Sequence, residues 1–450
     1  VDRDGIVSYL ASGSVQSPRT LIDNVHSLMP GEYLVVQIDD RKLDVISGSF
    51  IPTAECVIKE LGSRIEAVNE LRGLLEQSVR AHLVSDVPLG VFLSGGMDSS
   101  ALVALMSRVT EESPRTFSVV FDEHRYSEAS RSRLVANRFR TEHRELLLQE
   151  DQLLALLPES IQSFDQPSMD GINTYVVSKA VKNAGITVAL SGLGGDELFA
   201  GYPSFRRLLR LRSSSQFTRR FLRIVSGAGR VALNGSVRRN KFWQLASSEG
   251  TPEDVYRITR QLFAPETVSR LTNGASETLA VEKLDSNYDS DLINAMSRLE
   301  LQGYMANTLL RDTDSMSMAN SLEVRVPFVD IDIVGFSRSI PGPWKLNGSP
   351  QHVPKPLLAE ALSDLLPKDF LSSKKMGFTL PFEKWMRSRL QDEISSVLTD
   401  SNRLSIAGLD AAAAKDVWRR FLKSPSDVGW SRPWSLYVLA KWCEVNRVMA

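Results

Sequence analysis

Ser94-Gly-Gly-Met-Asp-Ser-Ser100 puts two adjacent glycines, three hydroxyls and one carboxylate into a single short stretch. Gly95 and Gly96 let backbone amides approach a bulky anion. Ser94, Ser99 and Ser100 add hydroxyl donors. From Ser99 the apolar residues Leu102, Leu105 and Met106 recur at helical spacing, so the stretch ends on a helix N-terminus with free N–H groups and a positive dipole end. Val87 to Leu93, apolar and rich in β-formers, predicts a buried strand just before it. Strand, glycine turn and helix start together predict a phosphate site without a lysine. A Walker A loop needs Gly-Lys-Ser/Thr and a dinucleotide fingerprint needs Gly-x-Gly-x-x-Gly; neither is present. Asp98 would repel phosphate, and its place here makes sense if it holds a Mg2+ that the phosphates share. The plain alternative is a Gly-Ser turn capping a helix, but one turn rarely combines all these groups.

Leu190-Ser-Gly-Leu-Gly-Gly-Asp-Glu-Leu-Phe-Ala-Gly-Tyr202 repeats the arrangement, with glycines and an acid pair just after a strand. Two such loops on one sheet could close over one nucleotide, with Asp98 and Asp196 as shared Mg2+ ligands. The plain alternative for Asp196 and Glu197 is an acid pair favoured by a helix dipole.

Elements must position these loops. Ile65, Val68, Leu71, Leu74, Leu75 and Val79 give helical periodicity within 54–84. Strand signals recur at Thr116–Phe121, Glu145–Leu148 and Ile186–Leu190, with helical patterns at 127–139, 151–163 and 173–184. Alternating strands and helices imply a doubly wound parallel α/β sheet covered on both faces, whose ligands sit at the carboxyl ends of the strands. After residue 250 the pattern is mostly helical. Residues 1–50 read as the tail of something larger: a helix end at Ile6–Leu10, then a hairpin from a strand at 31–38 and a return at 43–46. A lone hairpin is marginal.

The chain has 450 residues, room for two or three domains, with 53 Lys+Arg against 54 Asp+Glu. That balance implies neither nucleic acid nor membrane as a partner. From Phe205 to Leu245 there are ten arginines and Lys241 with no acid. A helical face pairing with acids elsewhere is favoured there over an anionic-surface patch. Cys56 and Cys443 suggest no disulfide framework and fit a reducing cytoplasm. No apolar run approaches a membrane span. The absent initiator Met suggests a fragment or a processed chain.

The first loop resembles the pyrophosphate loop of N-type ATP pyrophosphatases. With both loops, Ser317-Met-Ala-Asn-Ser-Leu-Glu-Val-Arg-Val-Pro-Phe-Val-Asp330 and Lys375-Met-Gly-Phe-Thr-Leu-Pro381, the chain resembles the synthetase part of class B, glutamine-hydrolysing asparagine synthetases. The resemblance implies the adenine nucleotide alpha hydrolase fold over 54–450. It also implies a short β remnant of a glutaminase domain over 1–53, on the marks Ala11-Ser-Gly-Ser-Val and Leu28-Met-Pro-Gly-Glu-Tyr-Leu-Val35. The N-terminal Cys nucleophile of such domains has no counterpart, so this polypeptide is not expected to hydrolyse glutamine. The implied reaction activates a carboxylate, aspartate's by default, with ATP and Mg2+. It gives an acyl adenylate and pyrophosphate, then an amide as ammonia attacks and AMP leaves. By position Leu93, Val119, Ser191 and Gly192 match residues that hold adenine and ribose, and Lys375 matches a lysine that contacts the phosphates. Arg325 is expected in a buried ion pair of structural role. Leu193 stands where well-studied members have a Glu that helps form and aminate the adenylate. Glu197, ionised in the first turn of a helix, is the nearest replacement. Phe164–Tyr175 also lacks the Arg-containing pattern of the aspartate enzymes, so the acceptor is open. An intramolecular amide-forming cyclase and a non-catalytic nucleotide-binding relative are the alternatives. The sequence leaves the assembly open, with a homodimer as one arrangement.

Overall fold

Runs of β-branched and apolar residues that can be buried on both sides build the centre of the protein. In a computed structural model, which describes residues 1–39, 42–50, 61–121, 129–213, 236–275, 291–346, 353–367 and 380–449, they form β3 (Leu89–Phe92), β4 (Arg115–Phe121), β5 (Glu142–Leu148), β6 (Val188–Leu190) and β7 (Glu323–Arg325). All pair in parallel, in the order β5-β4-β3-β6-β7. The first four of these strands fall where the sequence placed them. The last comes from the Ser317–Asp330 motif, where Val324 and Val326 flank Arg325.

Side chains alternate across this sheet. Val91, Leu93 and Leu190 pack with the apolar stripes of α2 (Arg64–His82) and α3 (Met97–Val109) and with Val135 and Ala136 of α4 (Ala129–Arg138). Phe117 and Ala189, with Phe92, Leu146 and Val324, face Val177 and Val181 of α5 (Ile172–Asn183) on the other side. The sheet is therefore covered on both faces, the doubly wound form expected. The chain leaves β3 toward β4 on one side and places β6 on the other. Such a reversal opens a crevice at the carboxyl ends of the strands, here at β3 and β6.

A second apolar core joins distant parts of the chain. Ile6, Tyr9 and Leu10 of α1 (Arg3–Ser12) are buried with Trp434, Leu436 and Leu439 of the last long helix, Ser431–Asn446. The Tyr9 hydroxyl donates to Ser435 O at 2.9 Å. Thus the helix predicted at Ile6–Leu10 is longer than expected and is built into the core of the following residues. β1 (Glu32–Asp39) and β2 (Lys42–Ser49) form the expected antiparallel hairpin. Among the described residues no third strand joins it, and Ile38 is 82% exposed. Residues 292–318 run as one helical rod whose middle, Leu301–Leu310, is π-helical, a form common at functional sites. Cys443 is buried and burial pushes its thiol up to about 12; Cys56 lies outside the described residues. No described helix is long and apolar enough to cross a membrane.

Candidate active site

The glycine turn sits at the carboxyl end of β3. Gly95 has φ +75°, and a Cβ there would stand 2.6 Å from Cβ of Arg131 and 2.9 Å from the amide nitrogen of Ser132, so only glycine fits. Gly96 caps α3 with no side-chain hydrogen bond, which leaves the helix start open to an anion. The hydroxyls are organised around the turn. Ser94 and Ser99 Oγ lie 3.1 Å apart, and the Ser94 and Gly96 amides donate to Ser99 Oγ at 3.2 Å and to Ser94 Oγ at 3.3 Å. Ser100 Oγ is buried and has no hydrogen-bond partner among the described residues. A buried hydroxyl left unpaired costs about 1–3 kcal/mol unless a ligand uses it, and this one lies in the first turn after the glycines.

The second loop closes directly against the first. A Cβ on Gly192 would lie 2.9 Å from both C and Cβ of Asp98, so the backbones touch. Gly194, at φ +97°, turns the chain into the short helix α6 (Gly195–Leu198). Ser191 N–H donates to Arg325 O at 2.9 Å, anchoring the loop to β7. The two loops thus meet, as expected, and bring Asp98 and Asp196 to one point.

That point is a lysine. Lys355 Nζ bonds Asp98 Oδ2 and lies 2.7 Å from Asp196 Oδ1, with only 5% of the lysine side chain exposed. Burial pulls the ammonium pKa down, but the charges of Asp98 and Asp196 outweigh it and hold it above the ordinary value. Lys355 is positively charged. Its backbone is in the left-handed region, φ 52°, directly before Pro356, which starts the helix Pro356–Ala361; such conformations cluster at functional sites. The two carboxylates are oxygen donors of the kind Mg2+ takes, but among the described residues no group of three or more His, Cys, Asp or Glu side chains stands together as a metal site. In the structure the lysine bridges the two. Nothing in the spacing of Val353-Pro-Lys-Pro356 marks this residue, which sequence reasoning missed.

Glu197 points the other way. It is 1% exposed, and Tyr202 donates to its Oε1 at 2.5 Å. Burial, reinforced by Asp196, raises its pKa despite Tyr202 and Arg260. The expected first turn of α6 is in place, but the Glu197 carboxylate is buried against Tyr202 instead of open to solvent. There Glu197 joins a buried polar network. Arg260 pairs with fully buried Glu300 at 2.7 Å and lies 4.6 and 3.6 Å from the rings of Tyr202 and Tyr304. Tyr304 OH is 3.4 Å from Asp170 Oδ2, and Ser168 donates to Asp312 at 2.5 Å. The Phe164–Tyr175 stretch thus enters this network through Ser168 and Asp170. The adjacent Asp196 and Glu197 tie the two charge clusters together through one helical turn.

Other expected residues are placed differently. Leu93 is buried in the core, its amide bonded to Phe117 O at 2.8 Å and its carbonyl accepting from Ser118 Oγ. Val119 is half-buried on β4 opposite Leu146. Arg325 does not make a buried ion pair: its Glu323 partner, 2.6 Å away, is 52% exposed. Its guanidinium also caps α2 by donating to the carbonyls of His82 and Val84, each at 2.7 Å. Lys375 lies outside the described residues. In the basic stretch, Arg207 and Lys241 donate to Oγ1 and O of Thr259, and much of the stretch lies outside the described residues.

Fold and loops define a parallel α/β protein whose two glycine loops meet at the switch point of its sheet. The chain belongs to the asparagine synthase family, whose model matches residues 70–444. Asparagine synthetase [glutamine-hydrolyzing] 1 of Bacillus subtilis is 29% identical over 415 residues, covering 89% of this chain and 62% of that protein. Asparagine synthetase [glutamine-hydrolyzing] 3 of the same organism is 25% identical over 100% of this chain and 70% of its own length. Amidase chyE of Penicillium rubens is 23% identical, covering 92% and 67%. The chain thus spans 62% to 70% of the length of these relatives.

Proposed function

We propose that the protein adenylates a carboxylate with ATP and converts it to an amide, releasing pyrophosphate and AMP. The observation that carries this reading is the meeting of the two glycine loops around Asp98, Asp196 and Lys355 at the carboxyl ends of β3 and β6. Ser94, Gly95, Gly96, Ser99 and Ser100 would hold the β- and γ-phosphates with amides and hydroxyls. Ser191 and Gly192 would line the nucleoside side, with Leu93 and Val119 beneath. Such preorganised donors stabilise charge where it develops on a departing pyrophosphate. Lys355 would offset that charge, and Lys375 would contact the phosphates as adenylation proceeds. Mg2+, when bound, would be held by Asp98 and Asp196 and would supply further shielding of the phosphates. Glu197 would position α6 rather than move protons.

Aspartate is the default acceptor and ammonia the nucleophile; glutamine would supply the ammonia only through a glutaminase domain, of which residues 1–53 would be a remnant, and two relatives are named glutamine-hydrolyzing synthetases. A different acceptor is favoured by Leu193, which can neither bind a cation nor take a proton, and by the relative named as an amidase. An intramolecular cyclase would need no ammonia at all. Cytoplasmic residence is part of the same reading. The test is pyrophosphate release with a panel of carboxylates, with and without ammonium, by wild type and Leu193→Glu. Release with aspartate that Leu193→Glu enhances supports the default. Wild type inactive on aspartate but active on another carboxylate assigns a new acceptor. Release independent of ammonium assigns the cyclase, and no release with any acceptor removes the proposal.

A further inference from the structure

Away from the glycine loops, a cavity of about 290 Å³ opens between the helices Val237–Ser247, Pro265–Leu271 and Ala411–Lys423 and the start of Ser431–Asn446. It shares no lining residue with either loop. Lys241 and Arg432, on two different helices, both line it, and the exposed Arg270 and Arg420 line it too. Glu266 and Asp427 also line it, and both are exposed.

Among the described residues the two inner cations have no acid to neutralise them. Lys241 Nζ donates there only to Thr259 O, at 2.8 Å. Arg432 donates to Val428 O at 2.8 Å and lies 5.9 Å from the Phe263 ring centre. Burial, with Arg432, Arg260 and Arg207 nearby, pushes the Lys241 ammonium down to about 7, and burial brings Arg432 down to about 10. Gln244, which also lines the cavity, has a buried Oε1 without a hydrogen-bond partner among the described residues. A partly buried pair of like charges is costly to keep unless an anion completes it. The basic run of the sequence, Phe205–Leu245, therefore delivers at least one cation to an interior cleft rather than to a surface acid.

We infer that this cleft is a second ligand site, which takes a small oxyanion, phosphate or carboxylate in chemistry, with Lys241 and Arg432 as its direct partners. Lys241 is fastened to the carbonyl of Thr259, and the next residue, Arg260, carries the buried network behind Asp196. A ligand that neutralises Lys241 therefore acts one residue from that network.

Thermal unfolding of the full chain tests the site, with inorganic phosphate or citrate titrated against chloride at constant ionic strength. Wild type is expected to gain Tm in a saturable way with at least one anion. Lys241→Met and Arg432→Gln should each weaken that response by about tenfold or more, from the loss of a charged hydrogen bond. Phosphate held by the glycine loops would respond equally in wild type and variants, so an unchanged response overturns the inference. Without anion, Lys241→Met should melt no lower than wild type, because it removes a charge that no acid among the described residues neutralises. A loss of Tm that is the same at every anion concentration would make the lysine a mere anchor for Thr259 and would also overturn it. Should either inner variant fail to fold, Arg420→Gln at the exposed edge must weaken the response several-fold, and no change there overturns the inference.

Discussion

That Asp98 and Asp196 stand together was legible in the sequence, where they are expected as shared Mg2+ ligands, because each sits in a glycine turn after a strand. The cation found there, Lys355, was not legible, because it arrives from a distant segment through tertiary packing. Removing one partner of a buried ion cluster leaves the other charges uncompensated, at about 3–5 kcal/mol. Lys355→Met is therefore expected to lower Tm by many degrees and to abolish pyrophosphate release, whereas Asp98→Asn should abolish release with a much smaller fall in Tm. Circular dichroism melts with a coupled pyrophosphate assay check both; a Lys355→Met variant with wild-type turnover would remove the lysine from the site. Asp312 carries a pH prediction. Burial, with Asp170 adding, raises its carboxyl from an ordinary 3.8 to about 7 against the pull of Ser168 and Arg311. The folded state thus keeps a proton that the unfolded chain has released. Stability from this group is full below about pH 4, falls as pH rises, and is lost by about pH 7. Urea unfolding from pH 5 to 8 should show that fall in wild type and a flatter profile in Asp312→Asn, which keeps a donor and acceptor for Ser168. Parallel profiles would place the buried proton elsewhere.

At the scale of elements, the strand–turn–helix units were legible because their signals are local: apolar β-formers, then glycines, then helical spacing. Helices predicted at 127–139 and 173–184 appear as Ala129–Arg138 and Ile172–Asn183, while 151–163 divides into Glu150–Ala155 and Leu157–Gln162. The division falls before Pro158, which can open a helix but not continue one. What local signals do not carry is how two turns meet. Gly192 is expected in the sequence only as a neighbour of the nucleoside, yet the space beside it is filled by the Asp98 backbone. Gly192→Ala must push the second loop off the first, at about 1–3 kcal/mol for overpacking. It should lower affinity for ATP more than it lowers Tm, as read by fluorescent-nucleotide titration beside a melt. Wild-type affinity in a folded Gly192→Ala variant would show that the two loops do not share one nucleotide.

For the whole molecule, the doubly wound sheet followed from alternation along the chain, but the packing of its ends did not. α1 read as the edge of a separate N-terminal piece, because Ile6–Leu10 offers too short a pattern to reveal its partner. Its partner lies far along the chain, where Ser435 receives the Tyr9 hydroxyl. The hairpin 32–49 was legible from its own alternation and turn, and it alone of the early elements stands apart from the cores. Likewise Glu197 looked available from its place in a first turn, and only the surrounding Tyr202, Arg260 and Tyr304 bury it. Across these scales the central claim is that the joined glycine loops direct cleavage of ATP between its α- and β-phosphates. The most direct measurement is product analysis of ATP turnover with an accepted carboxylate and ammonium, by wild type and Asp98→Asn. AMP and pyrophosphate in equal amounts from wild type, and neither from a folded Asp98→Asn, is the expected result. ADP and inorganic phosphate from wild type, or undiminished AMP formation by Asp98→Asn, would contradict it.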